Sequence, residues 1–226
     1  MEKLIALFED IQDVKVISAD IAYDNYVALD LSVANETLAN QNLNKASDYE
    51  KYIQQYLDKN NAQIAFGGYQ EIRNLYKRST VFNDLNSDER NIHIGLDLWI
   101  NESAPIYAAL DGKIHSFQNN DALGDYGPTV ILEHTIEGYK FHTLYGHLSL
   151  ESLNGKKVGD LVTKGQQIAN LGLPPINGDY APHLHFQVII DMENKSGDYP
   201  GVCSSKTLAY YLQNCPDPNL LLKIKP

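Results

Sequence analysis

Three short segments carry histidines and a carboxylate at spacings that could build a metal-dependent active site. His183 and His185 stand one residue apart in "APHLHFQV", and in an extended strand both would point to the same face. His93 and Asp97 are four residues apart in "NIHIGLDLWI", an even spacing that again places both on one face of a strand. His147 follows in "FHTLYGHL". Three of these N or O donors could hold zinc and leave a fourth position to water, and spacing alone does not say which three.

A site of this kind would carry out metal-assisted hydrolysis. A bound zinc ion lowers the pKa of its water towards about 7 and polarises a scissile carbonyl, while histidines that bind no metal can move protons near neutral pH. Gly95, between His93 and Asp97, removes side-chain bulk and is expected to leave open space for a ligand. The remaining histidines fit no such motif and are interpreted as structural: His115, His134 and His142.

A sheet is needed to bring these segments together, and the sequence predicts one. From about residue 67, short alternating apolar runs recur between glycine and aspartate turns, which is the pattern of an antiparallel β domain. If the strand in "FHTLYGHL" is regular, Phe141, Thr143, Tyr145 and His147 lie on one of its faces. The predicted fold class is therefore mainly β, and α+β overall, with the catalytic β domain at 67–200.

Smaller units are predicted on either side of that domain. Residues 1–66 should form an accessory αβ segment. Its strand is "YVALDLSV" at 26–33, and its helix is "SDYEKYIQQYLDKN", which opens with a capping box of Ser47 and Glu50. Residues 201–226 should contain a short helix, "SSKTLAYYLQN", and a leucine-rich tail that docks on the domain because exposing it would be costly.

Composition places the chain among ordinary globular proteins and narrows its partners. Of its 226 residues, 43% are hydrophobic and 21% charged, and the net charge is −11. This acidity argues against nucleic acid and against docking on acidic membranes. No apolar run approaches the roughly 20 residues that cross a bilayer. The start carries no secretory signal, which predicts a cytoplasmic location, or a periplasmic or secreted one if the chain was trimmed. Cys203 and Cys215 are expected to be free thiols.

Five motifs occur in order over about residues 90–190: "HIGLD", "DYGPTVILEH", "TLYGHL", "VGDLVTKGQQIANLG" and "APHLHFQV". Together they resemble the successive motifs of the lysostaphin-type (LytM-like) zinc metallopeptidases, which cut peptide bonds in bacterial cell walls. The resemblance implies an antiparallel sheet of the lysostaphin type, Zn²⁺ as the cofactor, and a peptide or a peptidoglycan fragment as the substrate.

The resemblance also implies roles for individual residues. The metal ligands are the histidine and aspartate of the HxxxD motif and the second histidine of HxH, here His93, Asp97 and His185. The catalytic residues are the histidine of the YxHL motif and the first histidine of HxH, here His147 and His183. The oxyanion-stabilising tyrosine of the family has two candidates, each of which packing would also explain: Tyr69 and Tyr76.

A second resemblance concerns the C-terminal segment. "PGVCSSKTLAYYLQNCPDPNLLL" is similar to the tail of a peptidase-like domain that is fused to aminotransferases in large cytosolic proteins. That resemblance points away from the cell wall as the substrate, and it leaves the metal site unaffected.

Two other function classes compete with a hydrolase. "HIGLD" and "VGDLVTKGQQIA" are also similar to pieces of glucose-permease-type phosphocarrier domains, whose paired histidines pass a phosphoryl group. In those domains the partner histidine precedes the HIGxD-like motif, whereas here the paired histidines follow it. A non-catalytic relative that binds and regulates another hydrolase would generally lose ligands, and here every candidate position is filled. The sequence therefore favours a zinc-dependent endopeptidase.

Overall fold

The computed structural model describes residues 2–39, 41, 43, 45–74 and 88–225. The helices are α1 (Glu2–Asp10), α2 (Glu36–Ala39), α3 (Ala46–Asn60), α4 (Leu208–Asn214) and α5 (Asn219–Leu222). The strands are β1 (Tyr26–Ala28), β2 (Ile64–Gly67), β3 (Ile92–His93), β4 (Leu96–Trp99), β5 (Pro105–Tyr107), β6 (Gly112–Asn120), β7 (Gly127–Ile136), β8 (Tyr139–Gly146), β9 (Leu161–Val162), β10 (Gln167–Asn170), β11 (His183–Ile189) and β12 (Val202–Cys203).

Most of these strands belong to one large sheet. Among the described residues its order is β1-β2-β4-β11-β8-β7-β6-β9, and its neighbouring strands are antiparallel apart from the parallel pair β1 and β2. Two smaller antiparallel pairs are β5 with β10 and β3 with β12. The predicted fold class, mainly β and α+β overall with an antiparallel sheet, is confirmed.

Alternation along β11 decides which face of the sheet is core and which is polar. Leu184, Phe186 and Val188 are fully buried in the main hydrophobic core. His183 and His185 lie on the opposite face, because successive strand residues alternate. Each large apolar side chain buried in this way contributes about 1.5–3 kcal/mol. The core face therefore fixes the register of β11, and with it the position of both histidines.

The accessory strand is shorter than predicted. β1 ends at Ala28, whereas the alternating pattern predicted a strand over 26–33. Beyond that point the Asp30 carboxylate accepts the backbone N–H of Ser32 at 2.7 Å and turns the chain. Val33, which the pattern placed on the buried face, is 48% exposed. Local side-chain hydrogen bonding has overridden the apolar alternation here.

The accessory helix is confirmed, but its first turn differs from the prediction. α3 begins at Ala46, so Ser47 lies inside the helix and does not cap it with Glu50. Lys45 precedes the helix, and its backbone N–H donates to the Asp48 carboxylate at 3.1 Å. A carboxylate in the first turn suits the positive end of the helix dipole, and Asp48 supplies it.

The C-terminal segment folds as predicted. α4 provides the short helix, and in α5 Leu221 and Leu222 are buried in the main core. Cys203 and Cys215 are both free and buried. Within the described parts of the chain, no helix combines the length and the apolar character that crossing a bilayer requires. The division into 1–66, 67–200 and 201–226 stays a prediction.

The histidines interpreted as structural lie on three neighbouring strands, β6, β7 and β8: His115, His134 and His142. The rings of His115 and His142 meet edge to face with centroids 4.8 Å apart. Burial lowers the pKa of His142 to about 4, and the nearby His115 adds to this, while Glu133 acts in the opposite direction. His142 is therefore neutral in the folded protein near neutral pH.

We expect the free energy of unfolding to fall as the pH is lowered from about 6.5 towards about 4. An unfolded histidine takes up its proton near pH 6.5, whereas folded His142 resists protonation down to about 4. The unfolded state thus binds more protons throughout this window, and one such group changes stability by at most about 1.4 kcal/mol per pH unit. Urea unfolding of EDTA-treated protein at several pH values measures the slope. The substitution His142→Leu should reduce it, and equal slopes in the two proteins would contradict the role given to His142.

Candidate active site

The pairing of β4 with β11 brings two of the three sequence motifs together. These strands run antiparallel, with His185 directly opposite Asp97 and His183 opposite Trp99. Because residues that oppose each other across a sheet share a face, both histidines and the carboxylate point the same way. The polar face of β11 and the carboxylate of β4 therefore form the centre of the site.

His93 reaches the same place from β3, a separate two-residue strand rather than an extension of β4. Gly95 lies in the break between the two strands. The prediction that this glycine leaves open space for a ligand is wrong, because a Cβ atom there would lie 2.4 Å from Cε1 of His185. The glycine instead lets the ring of His185 approach the backbone.

His147 enters the site by leaving the regular strand. Gly146 is paired with His185 and so lies on the polar face of β8. In a regular strand the next residue would point into the core, as Tyr145 does. His147 has a φ of +62° instead, and its ring lies 4.2 Å from that of His183, centroid to centroid. The prediction that His147 shares a face with Tyr145 and its alternate neighbours is therefore wrong.

The proton of His93 is held on the side of the ring that faces away from the cluster. Its Nδ1 lies 3.0 Å from the carbonyl oxygen of Gly68, an atom that only accepts, so Nδ1–H is the donor. Burial is the main cause that lowers the pKa of His93 to about 4, which keeps the ring neutral. Its Nε2 therefore presents a lone pair to His185 and Asp97.

Gln187 fixes which ring nitrogen of His185 carries the proton, as the carbonyl of Gly68 does for His93. The Gln187 amide nitrogen donates to the carbonyl of Pro200 at 3.1 Å, which turns the amide oxygen towards His185 Nε2 at 2.9 Å. Nε2–H is then the donor, and Nδ1 carries the lone pair. The hydroxyl of Tyr126 lies behind this ring, 3.4 Å from the same Nε2. Both histidines therefore aim a lone pair at the Asp97 carboxylate.

Three electron-pair donors meet in this way with no proton between them. His93 Nε2 lies 2.9 Å from His185 Nδ1, and Asp97 Oδ1 lies 3.3 Å and 3.2 Å from those two nitrogens. Burial alone would raise the pKa of Asp97, but positive charge beside it, including the permanent charge of the Arg73 guanidinium, holds that pKa well below its usual value, so the carboxylate is charged. Lone pairs this close repel one another unless a cation lies among them.

The spacing of the three atoms fits a zinc ion. A tetrahedral zinc site with bonds of about 2.0–2.1 Å has its ligands about 3.3–3.4 Å apart. The two separations from Asp97, 3.3 Å and 3.2 Å, are close to this value, and the two nitrogens, 2.9 Å apart, lie closer together. Among the described residues, His93, Asp97 and His185 are the group of side chains that lie close enough together to hold a metal ion. The structure thus brings together the residues that the sequence resemblance named as ligands.

His147 and His183 lie beside the three donor atoms with their own protons turned away. Nδ1 of His147 donates to the carbonyl of Asn177, and Nδ1 of His183 donates to the carbonyl of Ala181, each at 2.8 Å. Burial lowers the pKa of both rings, so each presents a neutral Nε2 that can accept a proton. His183 Nε2 lies 3.8 Å from Asp97 Oδ1.

A cavity of about 140 Å³ opens onto these five residues, and Tyr126 and Tyr180 are part of its wall. Neither was a candidate for the oxyanion-stabilising tyrosine in the sequence analysis, where Tyr69 and Tyr76 were named. The hydroxyl of Tyr69 donates to the carbonyl of Cys215 at 2.8 Å, which supports the packing interpretation of that residue. Tyr76 lies outside the described residues. The cavity wall thus contains aromatic residues that sequence reasoning did not select.

Sequence reasoning also missed three residues that orient the predicted ligands: Gly68, Arg73 and Gln187. Gln187 could have been found, because it follows His185 by two positions on the same strand and so shares its face. Arg73 donates to Asp97 from 24 positions earlier in the chain, and no local pattern marks it. The carbonyl of Gly68 carries no side-chain signal at all.

Comparison with known proteins supports the resemblance found in the sequence. Residues 91–197 match peptidase family M23. We call this range the M23 domain after the family that it matches. The resemblance to the lysostaphin-type family is thereby confirmed, and all five predicted site residues fall inside the matched range. The segment that carries Gly68 and Arg73 precedes it.

One curated relative of the M23 domain is the peptidoglycan DD-endopeptidase ShyB of Vibrio cholerae serotype O1. It is 36% identical over 99 residues, which are 43% of this chain and 20% of that protein. The chain therefore spans about a fifth of this relative.

Solved structures give two further similarities. The catalytic domain of the antimicrobial peptidase lysostaphin from Staphylococcus simulans is 27% identical with a TM-score of 0.37, covering 54% of this chain and 80% of that one. A zinc-containing peptidase from Vibrio cholerae is 31% identical with a TM-score of 0.33, covering 43% of this chain and 27% of that one.

Proposed function

We propose that the M23 domain is a zinc-dependent endopeptidase that hydrolyses peptide bonds in peptidoglycan cross-links or in a related amide substrate. The observation that carries the proposal is the convergence of three unprotonated donor atoms, on His93, Asp97 and His185, at separations of 2.9–3.3 Å. The relative ShyB is named as a peptidoglycan DD-endopeptidase, which supports peptidoglycan as the substrate class.

The residues beside the metal site have the properties that hydrolysis requires. Zinc, when bound by the three donors, supplies a Lewis acid and lowers the pKa of water. Nε2 of His147 or of His183 accepts the proton of the attacking water, and the imidazolium then gives a proton to the leaving amine. Asp97 favours His183 for this role, because its charge lies 3.8 Å from Nε2 and stabilises the protonated ring.

Because the site is buried, its shape limits which substrates can reach the catalytic histidines. His147 and His183 are 5% and 6% exposed, so a reacting bond has to enter the cavity to meet them. The surface of a folded protein cannot do this, whereas a slender, extended peptide can. Cross-linking peptides of the cell wall and short glycine-rich peptides have that shape. The cytoplasmic location stays a prediction, and a small intracellular amide would satisfy the same geometry.

Mass spectrometry of a cleavage reaction tests the proposal. Zinc-loaded protein would be incubated with cross-linked peptidoglycan fragments and with glycine-rich peptides, each with and without a chelator. We expect a cut that the chelator abolishes and added zinc restores, and the product masses identify the bond. Protein that carries zinc and cuts none of these substrates would contradict the peptidoglycan assignment and favour an intracellular substrate or a non-catalytic role.

A further inference from the structure

Arg73 precedes the M23 domain in the chain but reaches the centre of its site. Its Nη1 donates to Oδ2 of Asp97 at 2.6 Å, and the two side chains are 2% and 1% exposed. A charge-assisted hydrogen bond of this length, shielded from water, is among the stronger polar contacts in a protein. A residue outside the range that matches the M23 family therefore contributes directly to the surroundings of a predicted metal ligand.

Both the backbone and the side chain of Arg73 are fixed. Its backbone N–H donates to the carbonyl of Asn91 at 2.9 Å. Its Nε donates to Oε2 of Glu71, and Oε1 of Glu71 accepts the backbone N–H of Leu31 at 2.9 Å. The guanidinium thus bridges two carboxylates, and it cannot turn away from Asp97 without also leaving Glu71.

Packing leaves the guanidinium little freedom. A Cβ atom at Gly68 would lie 2.1 Å from Nη2 of Arg73, so the side chain is pressed against that backbone. Its Cζ lies 5.6 Å from the ring centre of Trp99, which stacks in turn on His183 at 5.8 Å. The orientation of Arg73 is therefore coupled to that of the surrounding site.

The two oxygens of Asp97 are used differently. Oδ1 faces His93 Nε2 and His185 Nδ1 at 3.3 Å and 3.2 Å, whereas Oδ2 is taken by Arg73. We propose that Arg73 is a positioning residue that holds Asp97 as a one-oxygen metal ligand, an inference that rests on the zinc site proposed above. With Oδ2 held by Arg73, the second oxygen stays off the metal and a coordination position is left for water.

Glu71 explains how an arginine can lie so close to a metal site. A lone guanidinium would repel a dication, but Glu71 balances its charge through direct contact. Arg73, Glu71 and Asp97 together carry a net negative charge, so the site still attracts a cation. Lysine could not replace Arg73 in this arrangement, because one ammonium group lacks the planar fork that bonds two carboxylates in fixed directions.

Cobalt substitution of the full chain tests this inference. Co²⁺ binds where Zn²⁺ does, and its visible absorption is stronger in four-coordinate than in five-coordinate sites. We expect Arg73→Lys to weaken this absorption, because Oδ2 becomes free to bind the metal. The metal Kd should rise about 10–100-fold, the usual effect of losing an outer-shell partner. Arg90→Lys is the matched control, since Arg90 lines the same cavity and donates to the carbonyl of Val202.

A second variant keeps the inference testable if Arg73→Lys fails to fold. In Glu71→Gln the amide oxygen can still accept the backbone N–H of Leu31, but the NH₂ group then faces Arg73 and cannot accept its bond. We expect the same spectral change, smaller in size. A Co²⁺ spectrum and a Kd equal to those of the wild type in every folded variant would overturn the inference alone. A wild-type protein that binds neither Co²⁺ nor Zn²⁺ would overturn the proposed function.

Discussion

Replacing His185 with alanine should abolish stoichiometric zinc binding. Its Nδ1 is one of three unprotonated donors, and without it His93 and Asp97 leave two coordination positions unfilled by protein. Structural and catalytic zinc sites use at least three protein ligands, so the affinity should fall by more than the roughly 10–100-fold expected when an outer-shell partner is lost. Metal analysis after dialysis against a trace of free zinc measures the loss.

Two controls separate loss of the ligand from loss of the fold. His115→Ala makes the same chemical change at a half-buried histidine on β6, outside the cavity, and should keep one zinc per chain. Near-ultraviolet circular dichroism of each metal-free variant shows whether tertiary packing persists, because the His185 ring also fills the space beside Gly95. Full zinc content in a folded His185→Ala protein would overturn the ligand assignment.

The sequence predicted the positions of His183 and His185 because strand alternation is a local rule. The apolar residues between and after them, Leu184 and Phe186, belong to the core, and burying them leaves the histidines no other face. The same rule placed Asp97 on a face of its own strand. The opposition of Asp97 and His185 across β4 and β11 then follows from strand pairing, which a single sequence does not reveal.

Other parts of the site depend on long-range contacts that leave no periodic trace. His147 adopts a positive φ that a non-glycine residue takes only when its surroundings impose it. Here a bond from its Nδ1 to the carbonyl of Asn177 and the ring of His183 hold it on the polar face. Arg73 likewise acquires its role from a bond to Asp97, 24 positions away. These interactions exist only once the chain has folded.

The errors near the N-terminus have a different physical origin. Apolar alternation predicted a long strand, but the Asp30 carboxylate formed a local turn with Ser32 that competes with strand pairing. The helix prediction chose Ser47 as the cap, although Asp48 offered a carboxylate to the preceding residue, Lys45. In both places a short-range polar contact of an aspartate decided between alternatives that the apolar pattern could not distinguish.

Replacing His183 with glutamine should remove most turnover while leaving the metal in place. His183 Nε2 lies 3.8 Å from Asp97 Oδ1, whereas its Nδ1 is committed to the carbonyl of Ala181. It therefore lies next to the three donor atoms without being one of them. Proton transfer by a positioned side chain is worth about 10²–10⁴-fold in rate, so kcat should fall within that range with little change in KM.

The zinc content of the same preparation determines how a reduced kcat of His183→Gln is interpreted. One zinc per chain with a reduced kcat assigns His183 to proton transfer. Loss of zinc would instead make it a ligand, and unchanged kcat would remove it from the mechanism. His147→Gln provides the comparison, because its Nε2 is equally buried and neutral but His183 is the ring held closer to Asp97. If Asp97 stabilises the protonated base, His183→Gln should be the more damaging of the two substitutions.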